Sequence, residues 1–210
     1  MNFFSRPLVI FATFWLTGIG TAATLTGSFS PIAAGSNVNL TAEGKLDWVH
    51  WGLANETSLH RKATVLPQIN DFVVVYQNYT AAYQQADNFG GFSWSDGFQV
   101  DAVTNTHTGV YVFSAANPRL QTTGFQFTVP ANTELKTLKV YVGTFGAQGR
   151  FQATLSDFAT SYSDTSLDNA GGGPGGVYTI NFAANSSNQT LTIRWTAFAK
   201  NNNSANVTLQ

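Results

Sequence analysis

The chain of 210 residues carries 10 basic and 11 acidic side chains, so its formal net charge of −1 lacks the positive excess of a nucleic-acid binder. It contains no cysteine, which excludes disulfides and a cysteine nucleophile. Only 10% of the residues are charged and 14% are aromatic, a composition that excludes a coiled coil and favours strands. The length suits one domain with a substantial hydrophobic core.

Residues 1–23 have the three-part pattern of a secretory signal peptide. Arg6 precedes an apolar run at residues 8–20, and the small side chains that signal peptidase requires follow this run. The run is shorter than the ~20 apolar residues that span a bilayer. We therefore expect cleavage after Ala23, a secreted protein with no membrane span after signal removal, and a short lead-in at residues 24–35.

The remaining residues, 36–210, are interpreted as a single domain of short strands and turns. In its first half the predicted strands are irregular in pattern. They cover residues 38–42, 46–51, 72–76, 98–103 and 110–114. The segment at residues 79–86 fits either a short helix or an irregular loop.

The second half alternates apolar and polar residues with a period of two. The alternating runs cover residues 125–129, 138–142, 150–155, 178–182 and 191–197. Such alternation buries one face of a strand and leaves the other in water, as antiparallel sheets allow. The predicted fold class is therefore all-β, a two-sheet antiparallel β-sandwich or jelly roll.

Two glycine-containing segments predict turns. Residues 145–149 fit a hairpin loop that joins the strands on either side. Residues 171–176 are almost all glycine and are interpreted as a flexible connector, because the lysine of a phosphate-binding loop is missing.

The segment LDWVHWG at residues 46–52 is the densest cluster of aromatic and polar side chains. Strand alternation places Trp48 and His50 on one face and Val49 and Trp51 on the other. Either tryptophan could stack on a sugar ring, with polar neighbours as hydrogen-bonding partners. Because tryptophan is usually highly buried, we favour the interpretation that both are core residues in a strand covered on both faces.

The outward-facing positions of the alternating strands predict a ligand surface. We expect Tyr141, Arg150, Gln152 and Arg194 to point away from the core and to share a shallow glycan site if their strands are neighbours. Aromatic rings pack on the C–H faces of sugars, while arginine and amide groups hydrogen-bond the hydroxyls. Trp94, expected to be partly exposed beside a loop, is the alternative stacking ring. The competing interpretation is an ordinary solvated sheet face.

A carboxylate-rich loop suggests calcium as a cofactor. Asp157, Asp164 and Asp168 follow the strand at residues 150–155. Their oxygens suit Ca²⁺, which takes roughly six to eight oxygen ligands. The spacing departs from that of an EF-hand, and aspartate also favours loops for its own local hydrogen bonds.

No catalytic constellation is visible in the sequence. The histidines lack the spacing of a metal site, and no Gly-x-Ser-x-Gly elbow occurs. A glycoside hydrolase would need two facing carboxylates, and nothing in the sequence pairs the candidates Asp47, Asp96 and Asp157. We therefore do not expect an enzyme.

Several segments together resemble a module of secreted and surface-exposed bacterial proteins. They are LDWVHWG at residues 46–52, RK at 61–62, SWSDG at 93–97, LKVYVG at 138–143, ATLSD at 153–157 and NVTL at 206–209. The resemblance covers residues 36–210 and is to jelly-roll sandwiches of the galactose-binding-like kind. It implies a mostly non-catalytic fold that often binds carbohydrate, and no ligand residue is carried over from it.

Three functions are compatible with these observations. The favoured one is a secreted, non-catalytic binding module whose partner is a glycan or surface polysaccharide. A structural or adhesive surface protein is the alternative, and a glycoside hydrolase comes third. An exposed strip of Trp or Tyr on a sheet face would favour the first, an unprotected edge strand the second, and two carboxylates facing across a cleft the third.

Overall fold

A computed structural model of the chain describes residues 22–75, 81–113, 123–158 and 160–210. These residues form strands, turns and one helix of four residues. The predicted all-β fold class is therefore confirmed. Within the same ranges, no helix has the length and hydrophobicity needed to cross a membrane.

The strands and the helix follow one another along the whole described part of the chain. In order they are β1 (Thr24–Pro31), β2 (Asn37–Asn39), α1 (Leu40–Glu43), β3 (Val49–Trp51), β4 (Leu59–Arg61), β5 (Val73–Val75), β6 (Tyr83–Gln85), β7 (Gly91–Trp94), β8 (Val103–Thr106), β9 (Gly109–Phe113), β10 (Gly124–Ala131), β11 (Lys136–Phe145), β12 (Ala147–Leu155), β13 (Ser161–Asp164), β14 (Asp168–Asn169), β15 (Gly176–Ala183), β16 (Gln189–Lys200) and β17 (Asn206–Leu209).

Two antiparallel sheets form the body of the protein. Sheet 1 has the strand order β1-β15-β11-β17-β9-β6. Sheet 2 has the order β13-β12-β16-β10-β5, with β14 also paired to β12. Apolar side chains of both sheets belong to one buried cluster, as expected of a two-sheet sandwich. The small sheets β2-β7-β8 and β3-β4 complete the fold.

The core follows the period-two alternation of the sequence. Along β12, buried side chains alternate with half-buried ones without interruption. Trp195 of β16 is fully buried, between its cross-strand neighbours Phe125 and Phe151. A β-carbon at Gly149 would lie 1.8 Å from Cη2 of Trp195, so glycine at this position lets the indole ring lie directly on the backbone.

The turn between β11 and β12 carries the chain from sheet 1 to sheet 2. β11 pairs with β15 and β17, whereas β12 pairs with β13, β14 and β16. The predicted hairpin at residues 145–149 is therefore wrong. Gly146 adopts a φ of 56°, a conformation that glycine favours in hairpins and in sheet-to-sheet corners alike. The local pattern could not distinguish the two connections.

Three segments of the first half differ from the predicted secondary structure. Residues 38–42, predicted as a strand, are divided between β2 and α1, where Asn39 Oδ1 accepts a hydrogen bond from Ala42 N at 3.0 Å and caps the helix. Residues 98–103, also predicted as a strand, contribute only Val103 to one. The segment predicted as a short helix or an irregular loop, residues 79–86, is described from residue 81 onward and contains the strand β6 there.

The N-terminal part of the described chain belongs to the sandwich. Residues 24–31, interpreted as a lead-in, form β1, which pairs with β15 along its full length from Thr24 opposite Ala183 to Pro31 opposite Gly176. Residues 1–21, which hold most of the expected signal peptide, lie outside the described residues. Secretion and cleavage after Ala23 therefore stay predictions.

Candidate functional site

The segment around β3 lies between two hydrophobic clusters. Val49 and Trp51 belong to the core between the large sheets. Trp48 belongs to a second cluster, which also contains Phe92 and Trp94. Trp48 and Trp51 are each 3% exposed. Both tryptophans are therefore core residues in a strand covered on both faces, as favoured from the sequence.

Trp94 is buried as well. It is the last residue of β7 and is only 3% exposed. Its Nε1 donates a hydrogen bond to Val100 O at 2.9 Å, and its ring lies 5.1 Å from that of Trp48. The prediction of Trp94 as a partly exposed stacking ring is wrong, because β7 lies between β2 and β8 and places this ring inside the second cluster.

Tyr141 leaves the main core but does not face solvent. Its ring packs 5.2 Å from Phe92, and its hydroxyl donates to Glu43 Oε2 at 2.5 Å. Lys139 Nζ donates to the same oxygen at 2.8 Å. Burial, together with the contact to Glu43, raises the pKa of Tyr141. Tyr141 thus joins α1 to sheet 1, and its predicted place in an open glycan site is wrong.

A cavity of about 170 Å³ lies between α1 and β11, with the side chains of Glu43 and Asp47 in its wall. Burial alone would raise the pKa of Glu43, but the hydrogen bonds from Lys139 and Tyr141 outweigh it and lower that pKa. Asp47 accepts hydrogen bonds from its neighbouring backbone and from Gln68 N at 2.7 Å. Both carboxylates therefore bind groups of the protein itself.

His50 is fully buried beside the same cavity. Its Nε2 lies 2.9 Å from Thr108 Oγ1, and its ring packs against Phe92 and Trp94 at 5.5 and 5.3 Å. Its Nδ1 has no hydrogen-bond partner among the described residues. Burial, with a smaller contribution from the charge of His60, lowers the pKa of His50 to about 3.

We expect the free energy of unfolding to fall as the pH drops below about 6.5, the pKa of an unperturbed histidine. Folded His50 stays neutral down to a pH of about 3, whereas unfolded His50 takes up a proton below about 6.5, so acid favours the unfolded state in between. His50 should contribute about 1.5 kcal/mol of this loss between pH 6.5 and 5. Urea unfolding at several pH values measures it. His50→Gln should show a shallower pH dependence, whatever its stability at neutral pH, and equal slopes would contradict the prediction.

Arg150, Gln152 and Arg194 lie together on the outer face of sheet 2. Gln152 is directly opposite Arg194 in the pairing of β12 with β16. The guanidinium carbon of Arg150 lies 5.4 Å from the ring centre of Phe198. The structure thus brings together three of the four residues predicted to share a surface. Tyr141 is separated from them because β11 belongs to sheet 1.

The three aspartates predicted to bind calcium lie far apart along β12. Asp164 and Asp168 lie beside this strand three residues apart in register, whereas Asp157 follows its far end. Asp168 is opposite Gln148, seven residues before the end of β12 at Leu155, which corresponds to roughly 23 Å at ~3.3 Å per residue. Asp164 accepts a hydrogen bond from the Tyr178 hydroxyl at 2.8 Å, and Asp168 from Asn201 Nδ2 at 2.7 Å. The prediction that these residues share one cation is wrong, and no group of three metal ligands occurs among the described residues.

The outer face of sheet 1 carries aromatic rings that are open to solvent. We name as the aromatic face the side chains of Tyr83, Phe89, Tyr111, Phe113 and Phe145. Four of them are 40–42% exposed, and Tyr111 is half-buried. The ring centres of Tyr83 and Tyr111 are 5.4 Å apart, and those of Tyr111 and Phe113 are 5.1 Å apart. The rings of Tyr83, Tyr111 and Phe113 therefore form a continuous strip across β6 and β9.

The pairing register explains the layout of the aromatic face. One row of cross-strand neighbours runs over β11, β17 and β9 and consists of Phe145, Asn206 and Phe113. The next row continues to β6 and consists of Gly143, Thr208, Tyr111 and Tyr83. Small and polar side chains therefore separate Phe145 from the strip, which leaves a depression between them.

A second cavity of about 170 Å³ occupies this depression. Its lining contains the amide side chains of Gln85, Asn88, Asn206 and Gln210. Asn88 Oδ1 accepts a hydrogen bond from Gln210 Nε2 at 2.8 Å. Asn88 Nδ2 and Asn206 Oδ1 are buried and have no hydrogen-bond partner among the described residues. The lining residues of the cavity thus include amides, the type of group that forms hydrogen bonds with sugar hydroxyls.

The glycine-rich connector at residues 171–176 forms one wall of the same cavity. A β-carbon at Gly172 would lie 3.7 Å from the ring of Phe145 and 3.9 Å from that of Phe89. Any larger side chain here would lie against both rings. Glycine therefore keeps this end of the aromatic face open.

None of the residues of the aromatic face was predicted from the sequence as a site residue. A signal was present in β9, where Tyr111 and Phe113 alternate with the buried residues Val110 and Val112 and must point outward. The sequence around Tyr83 and Phe89 has no regular alternation of apolar and polar residues, so it does not indicate that these two rings are exposed.

Comparison with protein-family models, with curated proteins and with solved structures yields no match to this chain. The functional assignment therefore depends on the residues and geometry described above.

Proposed function

We propose that this protein is a secreted, non-catalytic module that binds carbohydrate through the aromatic face. The observation that carries the proposal is the strip of Tyr83, Tyr111 and Phe113 beside a cavity lined by amide side chains. Sugars have apolar C–H faces that pack on aromatic rings, and hydroxyls that exchange hydrogen bonds with amides. Both types of contact are available side by side on one open surface.

The outer face of sheet 2 is less suited to this role. The ring of Phe198 lies beside these polar residues, but the guanidinium of Arg150 already lies over that ring. Arg150, Gln152 and Arg194 could hydrogen-bond a ligand, but an open ring for a sugar to stack on is found on sheet 1. We therefore place the site on the aromatic face.

Two expectations from the sequence support the proposal. The predicted signal peptide would bring the protein outside the cell, where polysaccharides are abundant. The resemblance to galactose-binding-like modules, drawn from residues 36–210, also favours carbohydrate binding without catalysis. Both are independent of the aromatic face, which neither of them predicted.

We expect Tyr111→Ala to weaken polysaccharide binding about tenfold, because one stacked ring contributes about 1 kcal/mol beyond its buried area. Tyr111 is the right residue to change because its ring contacts both neighbours in the strip, Tyr83 and Phe113. The measurement is isothermal titration or affinity electrophoresis against a panel of polysaccharides. Leu135→Ala is the matched control, since Leu135 is 68% exposed and lies outside the aromatic face. Binding that survives both Tyr111→Ala and Phe145→Ala unchanged would place the site elsewhere.

A structural or adhesive role is the second candidate, because exposed aromatic rings can also bury themselves against a protein. Strand addition could use β1, which forms one edge of sheet 1 with eight residues, whereas the edge strands β5 and β6 have three residues each. Contacts made through the exposed rings would instead use the aromatic face itself. Light scattering after size exclusion separates the two roles: self-association that Tyr111→Ala abolishes, without any glycan binding, would favour adhesion.

A further inference from the structure

The described lining of the cavity on the aromatic face carries negative charge and no positive charge. In the part of the chain that the structure describes, Asp87 is the one charged residue that lines it, and Asp87 is exposed. Its carboxylate accepts a hydrogen bond from Gln85 Nε2. The other polar groups of the lining are amides and the hydroxyls of Thr144 and Thr208. Among the described residues, no lysine or arginine lines the cavity, so this part of the chain does not supply it with the groups that usually bind carboxylates and sulfates.

We propose that the aromatic face selects uncharged polysaccharide over acidic polysaccharide. This inference rests on the proposed function and adds the class of ligand. A uronate or a sulfated sugar in the cavity would bring a negative charge close to Asp87, and no described lining residue supplies a cation to balance it. A neutral sugar can form hydrogen bonds and stacking contacts with the amides, hydroxyls and aromatic rings, and it carries no charge for Asp87 to repel.

The dimensions of the aromatic face favour a chain over a single sugar. Phe145 and Phe113 lie in one row on strands separated by β17. At about 4.8 Å between neighbouring strands, the two positions are about 10 Å apart. That distance exceeds the width of one pyranose ring. A ligand that contacts both rings therefore has at least two sugar units and lies across the strands.

The outer face of sheet 2 provides a comparison within the same molecule, because we expect this face to prefer acidic polysaccharide. Arg150 and Arg194 give the outer face of sheet 2 two positive charges. An acidic polysaccharide would be attracted to that face. A loss of acidic-glycan binding in Arg194→Ala would therefore show that acidic chains bind to the outer face of sheet 2 and not to the aromatic face.

The experiment compares the affinity of the protein for neutral glucans, xylans and galactans with that for polygalacturonate and a sulfated galactan. We expect the neutral chains to bind more tightly. Asp87→Asn should raise the ratio of polygalacturonate to neutral-chain affinity about three- to fivefold, and Asp87→Lys should raise it further, because each change removes repulsion from the cavity. The effect should shrink at high salt, where charges are screened.

Three outcomes are distinguishable. Tighter binding of a neutral chain, with the affinity ratio shifted by the Asp87 variants, supports the inference. Equal or tighter binding of an acidic chain overturns it, while carbohydrate binding as the proposed function survives. Binding to no polysaccharide of the panel, by a protein shown to be folded by circular dichroism, contradicts the proposed function and the inference with it.

Discussion

Replacing Trp195 with alanine should lower the free energy of unfolding by about 3–5 kcal/mol, the range for a large aromatic side chain removed from a core. The indole ring is fully buried and contacts the ring of Tyr178, with centres 5.9 Å apart. It also fills the space above Gly149, which has no side chain to replace it. Because the neighbours come from three strands of two sheets, they cannot all move into the cavity that alanine would leave. Urea unfolding followed by circular dichroism measures the loss.

Trp195→Phe is the matched control for volume. The Nε1 of Trp195 is buried and has no hydrogen-bond partner among the described residues. Phenylalanine removes this unsatisfied donor while it keeps most of the ring, so we expect a loss of only about 1 kcal/mol. A loss below about 1 kcal/mol for Trp195→Ala would show that the side chain of Trp195 does not point into the core.

Asp96→Ala should lower the free energy of unfolding by about 3 kcal/mol, because it removes an acceptor shared by three side chains. Asp96 Oδ1 accepts hydrogen bonds from Thr41 Oγ1 at 2.5 Å and from Trp48 Nε1 at 2.9 Å. Its Oδ2 forms an ion pair with Lys62, whose side chain is only 13% exposed. The variant leaves the lysine charge and the indole N–H without their partner. Chemical unfolding at neutral pH is the measurement.

The ion pair between Lys139 and Glu43 provides the comparison. Its side chains are 44% and 36% exposed, so Lys139→Ala should cost less than about 1 kcal/mol. Equal costs for the two variants would show that Asp96 is no more than a surface partner. The pH dependence gives an independent check. Burial opposes the charge of Asp96, but the donors outweigh it and lower its pKa, so its contribution is present above the pKa of an unfolded aspartate and is lost as the pH falls through the folded pKa.

The class of fold and the phase of the regular strands could be predicted from local pattern. Alternation along residues 150–155 and 191–197 gives the buried faces of β12 and β16, since side chains point to opposite faces at successive residues. The composition of residues 46–52 similarly indicated a strand covered on both faces. Each of these features depends on neighbours along the chain, so the sequence contains the information directly.

The candidate site could not be predicted in the same way. Tyr83, Phe113 and Phe145 lie on β6, β9 and β11, and they come together because β17 pairs with both β9 and β11. Tyr141 lies on the same strand as Phe145, but α1 covers it through Glu43. Exposure at an outward-facing position therefore depends on which distant segment packs over it.

By itself, the sequence of this protein determined an all-β chain, the inward phase of its regular strands and the burial of Trp48 and Trp51. Only the tertiary structure decided that β11 and β12 lie in different sheets, that Trp94 is covered and that the aromatic face stays open. The physical reason is that the alternation of apolar and polar residues along a strand indicates only which side chains point toward a core. Strand order and the covering of outer faces come from pairing between segments far apart in the chain, which leaves no periodic signal in either segment.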